Sequence, residues 1–240
     1  MLAGFLIGLA SAIKVTPVVF LAYFLWKKNF KLVATALGTL LTSIVLGRVV
    51  LGEQLSRIFL DVLLAFGSED NAWVGNQSWR GFLDRLFVGD EYVHAPFQNS
   101  NLDHWLYYGG VALLAIITAF VLWHSRRSEQ FHLEFSLGLL AYFIVAPTTW
   151  VHHLVWAIYS LVALALACLN REKLAPIFWF AVGYLLIALT LDYRTDTLFQ
   201  FPQSLWISSK FYGLLILYGV NAWLLLHPQN ENLSPANTCT

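Results

Sequence analysis

The sequence predicts an all-α protein, a polytopic transmembrane helical bundle of about seven spans, and three observations carry that prediction. Charged residues make up 12% of the 240 residues against 58% hydrophobic ones, about half the roughly 25% charge of an ordinary soluble domain. Several apolar stretches approach the ~20 residues that a ~30 Å hydrocarbon core demands of a helix. None of them alternates strictly with period two, so a membrane β-barrel is not supported and the backbone must be satisfied within helices. Ten Trp and an aromatic content of 16% supply rings for both membrane interfaces.

In chain order the apolar stretches run Leu2 to Trp26, Leu32 to Leu51, Trp105 to Trp123, Phe131 to Ala146, Leu154 to Leu169, Ile177 to Leu191 and Phe211 to Leu226. The shorter ones need flanking Trp, Tyr or Lys anchors, local thinning of the bilayer, or cover from neighbouring helices. Lys27, Lys28 and Lys31 follow the first stretch, Arg126 and Arg127 the third, and Arg171 and Lys173 the fifth. Basic residues close to span ends stay on the cytoplasmic side, so these loops go inside. The chain then starts outside and ends inside, with residues 1–226 as the transmembrane region and 227–240 as a cytoplasmic tail. An inner-membrane protein that begins outside on Met-Leu-Ala-Gly lacks the usual first cytoplasmic charges, and a missing N-terminal portion is expected. The rival, a signal peptide cleaved near Ala10-Ser11-Ala12, has no basic region before its apolar stretch.

The outer loop, 52–104, is too long for a simple connection and is expected to carry structure of its own. Leu55, Ile58, Phe59, Val62, Leu63 and Phe66 recur at helical spacing with Arg57 and Asp61 opposite, the pattern of an interfacial helix. A second short helix is expected from Trp79 to Phe87, with Phe82, Leu83, Leu86 and Phe87 on an apolar face and Arg80 and Asp84 four apart.

Charge and cysteine content exclude further classes. Fourteen basic residues balance fourteen acidic ones, and no basic block stands free of an apolar flank, so no nucleic-acid partner is proposed. Cys168 lies in an apolar run and Cys239 in the polar tail, which leaves no disulfide framework or cysteine-rich metal site.

Three places concentrate chemistry. Lys14 sits roughly 18 Å of helix from Trp26, near mid-depth, where an ammonium costs at least ~2.5 kcal/mol; Pro17 follows and bends the helix. Lys14 then either binds an anionic group such as a lipid phosphate or pairs structurally with a carboxylate. The stretch Gly75 to Arg85 gathers Asn76, Gln77, Ser78, Trp79, Arg80 and Arg85. Amides match sugar hydroxyls and guanidinium forks match phosphate oxygens. The bland alternatives there are an Asn76-Gln77-Ser78 glycosylation sequon and a helix N-cap at Ser78. Trp150, His152 and His153 open the fifth span. They bind phosphate, move a proton, or form an interfacial aromatic belt. Neighbouring helical histidines point about 100° apart, and neither a third ligand nor i, i+4 spacing supports a metal. No metal site and no cofactor are expected.

Taken in order, Gly8 through Lys14 to Pro17, Asn76-Gln77-Ser78 with Gly81 and Arg85, and Pro147 through Trp150 to His153 resemble the membrane mannosyltransferases of glycosyltransferase family 87. The resemblance covers nearly the whole chain, and its specificity lies in the order of short motifs. It implies a GT-C-like fold in a bacterial-type inner membrane and transfer of a hexose, mannose in the first instance, on the outer side. It implies a polyprenyl-phosphate sugar donor and a glycan or glycolipid acceptor. Under it, Lys14, Arg80, Arg85 and His152 or His153 contact phosphate and sugar, and Asn76 and Gln77 the sugar. Such enzymes carry an acidic residue in their first outer loop, and nothing before Lys14 supplies one, so this chain is expected to be the carboxyl-terminal portion; Asp70, Asp84 and Asp103 are the stand-in bases. The competing class is a non-catalytic membrane protein that binds or moves lipid-linked sugars. The paired, broken spans of two similar halves typical of transporters are not evident.

Overall fold

The computed structural model describes residues 1–65, 72–91, 93–125, 130–171, 173–191 and 196–228. Every regular element among the described residues is helical, apart from one isolated antiparallel bridge between Asn76 and Trp150. The chain divides into two compact units, residues Met1–Asp70 and Asn71–Thr240, and the division falls inside the expected outer loop.

The first unit comprises α1 (Leu2–Ile13), a 3₁₀ turn (Thr16–Val19), α2 (Phe20–Trp26) and α3 (Phe30–Ala65). The expected span Leu2 to Trp26 is therefore not one helix. Lys14 closes α1 in an extended conformation (φ −145°, ψ 121°), and Pro17 sits in the first turn of the 3₁₀ segment. A proline removes an N–H and crowds the preceding turn, and here the helix ends instead of bending. Lys14 is exposed at that break, not enclosed by its own bundle as its mid-depth position suggests.

Gly4 and Gly8 set the packing of α1 on α3. A Cβ at Gly8 would lie 2.3 Å from the Ala36 carbonyl oxygen, and one at Gly4 would lie 2.5 Å from that of Leu32. Small residues four apart let two helix backbones approach in this way. Helix α3 merges two helices across Gly52 (φ 81°, ψ 170°), a conformation that L side chains resist. The span expected to end at Leu51 and the helix expected from Leu55 are thus one element with a break at its glycine. Arg48 and Arg57 flank Glu53 just past it, at 3.0 and 2.6 Å. Of the apolar residues read as the interfacial face, Phe66 lies outside the described residues.

The second unit is built around its last helix. Its elements are α4 (Trp79–Phe87), α5 (Ser100–Ser125), α6 (Phe131–Val145), a 3₁₀ turn (Val151–Trp156), α7 (Ala157–Leu169), α8 (Leu174–Ala188), a 3₁₀ turn (Asp196–Phe199), α9 (Ser204–Ile207) and α10 (Ser209–Leu226). Helix α10 packs against α8, α6 and α5, and its Leu214, Leu217, Leu224 and Leu225 are fully buried. Gly183 and Gly213 face each other where α8 crosses α10; a Cβ at Gly213 would lie 2.7 Å from the Gly183 carbonyl oxygen. Polar pairs pin the other contacts: Tyr218 and Thr118 share a hydrogen bond at 2.8 Å, and Asn221 Nδ2 donates to Ser136 Oγ at 2.8 Å.

Two cations close helix ends. Lys210 Nζ donates to the carbonyls of Ile187 and Leu189, 2.8 and 2.5 Å away, at the end of α8. Arg171 Nη2 donates to the Leu224 carbonyl, 2.9 Å away, at the end of α10. Cations favour helix C-termini, where carbonyls lack partners. The second unit therefore has two opposite ends, one at the start of α10 and the other at Arg171.

Among the described residues, four helical segments are long and apolar enough to cross a membrane, Phe30–Leu63, Ser100–Ser125, Val151–Leu169 and Ser209–Leu226. Leu2–Ile13, Thr16–Trp26, Phe131–Val145 and Leu174–Ala188 are shorter apolar helices. Arg126, Arg127 and Asp70 lie outside the described residues, as do Cys239 and all of the tail beyond Pro228.

Candidate functional site

At the α10-start end of the second unit, the segment before α4 lies beside the segment that follows α6. Asn76 and Trp150 pair as a bridge, Gln77 N donates to the Thr149 carbonyl at 2.7 Å, and Val151 N donates to the Gly75 carbonyl at 3.1 Å. Two motifs about seventy residues apart in sequence are thereby zipped into one feature.

The amides of this feature are turned inward. Asn76 is fully buried; its Oδ1 accepts from Thr149 N (3.0 Å), Ser78 Oγ (2.9 Å) and Ser78 N (3.3 Å), while Nδ2 donates to the Pro147 carbonyl at 3.2 Å. Gln77, also fully buried, donates from Nε2 to the carbonyls of Val74 (2.7 Å) and Ile207 (2.9 Å), and its Oε1 accepts from Phe211 N at 3.4 Å. Buried polar groups of this kind are costly unless satisfied, and here each amide ties loop to helix. The sequon reading of Asn76 fails on its burial. Ser78 is the N-cap of α4, its Oγ accepting from Gly81 N at 3.1 Å. A Cβ on Gly81 would lie 2.6 Å from Asn76 Cγ, so only glycine lets the turn close.

Arg85 is 2% exposed. Its Nη1 donates to the carbonyls of Asn76 (2.9 Å) and Trp73 (3.2 Å), and its Nη2 and Nε donate to Ser208 Oγ at 2.9 and 3.3 Å. The fork clamps the 73–76 turn onto the start of α10. Helix α4 spans the expected Trp79 to Phe87, but its Arg80–Asp84 side is buried, not solvated. Arg80 Nε lies 2.9 Å from Asp84 Oδ1 and its Nη2 lies 3.5 Å from Asp103 Oδ2, with the guanidinium 5.1 Å from the Tyr107 ring centroid. Two buried carboxylates thus share one guanidinium, with the half-exposed His104 Nδ1 at 3.9 Å from Asp103 Oδ2. Tyr107 links this cluster to the end of α6, its hydroxyl donating to the Val145 carbonyl at 3.0 Å.

The groups that face outward are aromatic and imidazole. Trp73 is exposed and Trp150 half-buried, and both rings crowd Gly75, where a Cβ would lie 3.0 Å from Trp73 Nε1 and 3.1 Å from Trp150 Cε3. His153 Nδ1 accepts from Trp150 N at 3.3 Å, which leaves the ring proton on Nε2 in the neutral form, and the rings of His152 and His153 meet edge to face with centroids 4.4 Å apart. His152 is exposed. Trp79 packs inward, stacked on Phe82 (5.6 Å) and donating to the Leu106 carbonyl at 3.1 Å. Of Trp73, Trp79 and Trp150 the exposed ring is Trp73, a residue that no spacing rule singles out because the turn places it. Lys14 belongs to the first unit. Among the described residues no group of three His, Cys, Asp or Glu side chains could hold a metal.

The chain is 28% identical over 83% of its length to a polyprenol-phosphate-mannose-dependent alpha-(1-2)-phosphatidylinositol pentamannoside mannosyltransferase of Mycolicibacterium smegmatis, of which it covers 47%. It is 25% identical over 99% of its length to a polyprenol-phosphate-mannose-dependent alpha-(1-2)-phosphatidylinositol mannoside mannosyltransferase of Mycobacterium tuberculosis, of which it covers 56%. It thus spans about half the length of these curated relatives. No solved structure matches it significantly. The profile of glycosyltransferase family 87 matches residues 1–147, which takes in Lys14, the buried Asn76–Arg85 turn and the acidic cluster, and stops at Pro147 where the zipped segment begins. On that match, over more than half of its length, the chain belongs to glycosyltransferase family 87.

Proposed function

We propose that this chain forms part of a membrane mannosyltransferase that takes mannose from a polyprenyl-phosphate donor and passes it to a phosphatidylinositol mannoside or similar glycolipid on the outer side of the membrane. The supporting observation is the zipped feature: a family-matched turn hydrogen-bonded to a Trp150–His153 rim in which His152 is exposed and Trp150 and His153 are half-buried. The shorter apolar helices belong to a GT-C-like bundle of about seven spans in this reading, and the rim faces outward.

The roles divide by burial. Asn76, Gln77 and Arg85 position the rim, because their polar atoms bond within the chain. Trp73 and Trp150 present ring faces to a pyranose, and His152 with His153 contacts the lipid phosphate and sugar. Lys14, on the first unit, is a separate candidate cation for a lipid phosphate. Arg80, held between Asp84 and Asp103, sets the charge beneath the rim. The transfer is a displacement at the anomeric carbon: the acceptor hydroxyl oxygen forms the new bond, its proton passes to a base, and the bond to the lipid phosphate oxygen breaks. Imidazole N–H and cations stabilise the departing phosphate, which carries the developing charge.

Membranes from cells expressing the gene, supplied with radiolabelled polyprenyl-phosphate mannose and phosphatidylinositol mannoside, are expected to yield a labelled glycolipid, and His152→Ala to lower that yield. Donor binding without any labelled product, in both proteins alike, would support a carrier and overturn the transferase reading.

A further inference from the structure

We propose that the end of the second unit opposite the rim holds an anionic phospholipid, its acyl chain lying in a groove between α8 and α10 and its phosphate at Arg171 and Lys173. The groove has a volume of about 430 Å³ and is almost wholly apolar, walled by Ala175, Pro176 and Trp179 of α8 and by Gly219 and Trp223 of α10. That volume lies in the range of small-molecule sites, about 300–1,000 Å³, enough for part of one chain. Beside Gly219 the groove is open space, since a Cβ there would meet nothing within 4 Å.

The charge at its mouth selects the occupant. The Arg171 guanidinium lies 5.2 Å and the Lys173 ammonium 5.8 Å from the centroid of the same Trp223 ring. Helix α8 begins at Leu174 with Lys173 as its N-cap and no capping side chain, so the positive end of the helix dipole adds to the charge there. Two cations, a helix N-terminus and an indole therefore converge at one end of an apolar slot. A zwitterionic lipid, whose own ammonium offsets its phosphate, gains less from that mouth, whereas each cation near an anionic lipid headgroup strengthens its binding about fivefold. The inference is independent of the transfer reading, since it uses no residue of the rim.

The test is fluorescence quenching of Trp223, taken as the difference between the chain and its Trp223→Phe variant, in neutral phosphatidylcholine vesicles carrying equal small fractions of dibrominated phosphatidylglycerol or dibrominated phosphatidylcholine. At low fractions that do not saturate the groove, the brominated anionic lipid is expected to quench Trp223 more than about tenfold more strongly. Lys173→Gln, an exposed residue whose change leaves the fold alone, should cut that preference about fivefold. Gly219→Leu should fill the groove and protect Trp223 from both lipids. Arg171→Gln should abolish the residual preference, but it also removes the bond to Leu224, so Lys173→Gln and Gly219→Leu carry the decision. Equal quenching by the two lipids, a preference untouched by Lys173→Gln, or displacement by excess inorganic phosphate would each overturn the proposal, the last by pointing to a soluble anion.

Discussion

A single buried amide shows how much one residue holds at the rim. Asn76 Oδ1 accepts from three donors on two segments, and its truncation strands the Thr149 and Ser78 N–H groups in a dry interior. Each stranded group costs about 1–3 kcal/mol, so Asn76→Ala should destabilise the chain by about 3 kcal/mol, read as a lowered unfolding midpoint in detergent. Arg85→Lys keeps the charge and loses the fork. A lysine ammonium is a point charge on a flexible stem and cannot reach the Asn76 carbonyl and Ser208 together, so this variant should lose about 2 kcal/mol and most donor binding with it. His152→Ala should leave the unfolding midpoint unchanged, because His152 is exposed, while lowering transfer by ~10²- to 10⁴-fold if it moves a proton. A midpoint that falls with activity would make it structural. Lys14→Leu removes an exposed cation from a helix break; membrane insertion should improve and donor binding should fall, and unchanged donor affinity would leave Lys14 without a phosphate role.

Elements in this chain are joined by glycines at close crossings and at breaks. Gly8 lets α1 lie against the α3 backbone, so Gly8→Leu should push the helices apart and lower the unfolding midpoint sharply. Gly38→Leu is the control on the same helix pair, since a Cβ at Gly38 meets nothing within 4 Å; its midpoint should hold. The small-residue spacing of Gly4 and Gly8 is visible in the sequence, but apolar periodicity says nothing about which face is crossed. Helix α4 teaches the reverse. Its bounds follow from Ser78 as N-cap and the apolar spacing of Phe82 to Phe87, whereas the burial of Arg80 and Asp84 follows from Asp103 arriving on α5.

At the scale of the molecule the basic loops predict sidedness. Single cysteines at Trp73, His94 and His153 should react with an impermeant label in sealed cells, and those at Lys28, Arg127 and Lys173 should not. Labelling at Lys173 would invert the orientation and place the rim inside. The structure supplies one independent constraint on this test: Ser208 contacts Arg85 at one end of α10 and Leu224 contacts Arg171 at the other. His153 and Lys173 therefore belong to opposite ends of one bundle.

By itself the sequence determined that the chain is helical and apolar enough for lipid, where α4 runs, and which family its ordered motifs match, because composition, hydrophobic run length and capping are local properties. Only the tertiary structure decided that Lys14 ends a helix, that Asn76, Gln77 and Arg85 spend their polar atoms on the chain itself, and that Trp73 and His152 stay outside. Burial of a polar side chain depends on what arrives from distant sequence, here Thr149, Ser208 and Ile207, and no spacing within a motif encodes that arrival.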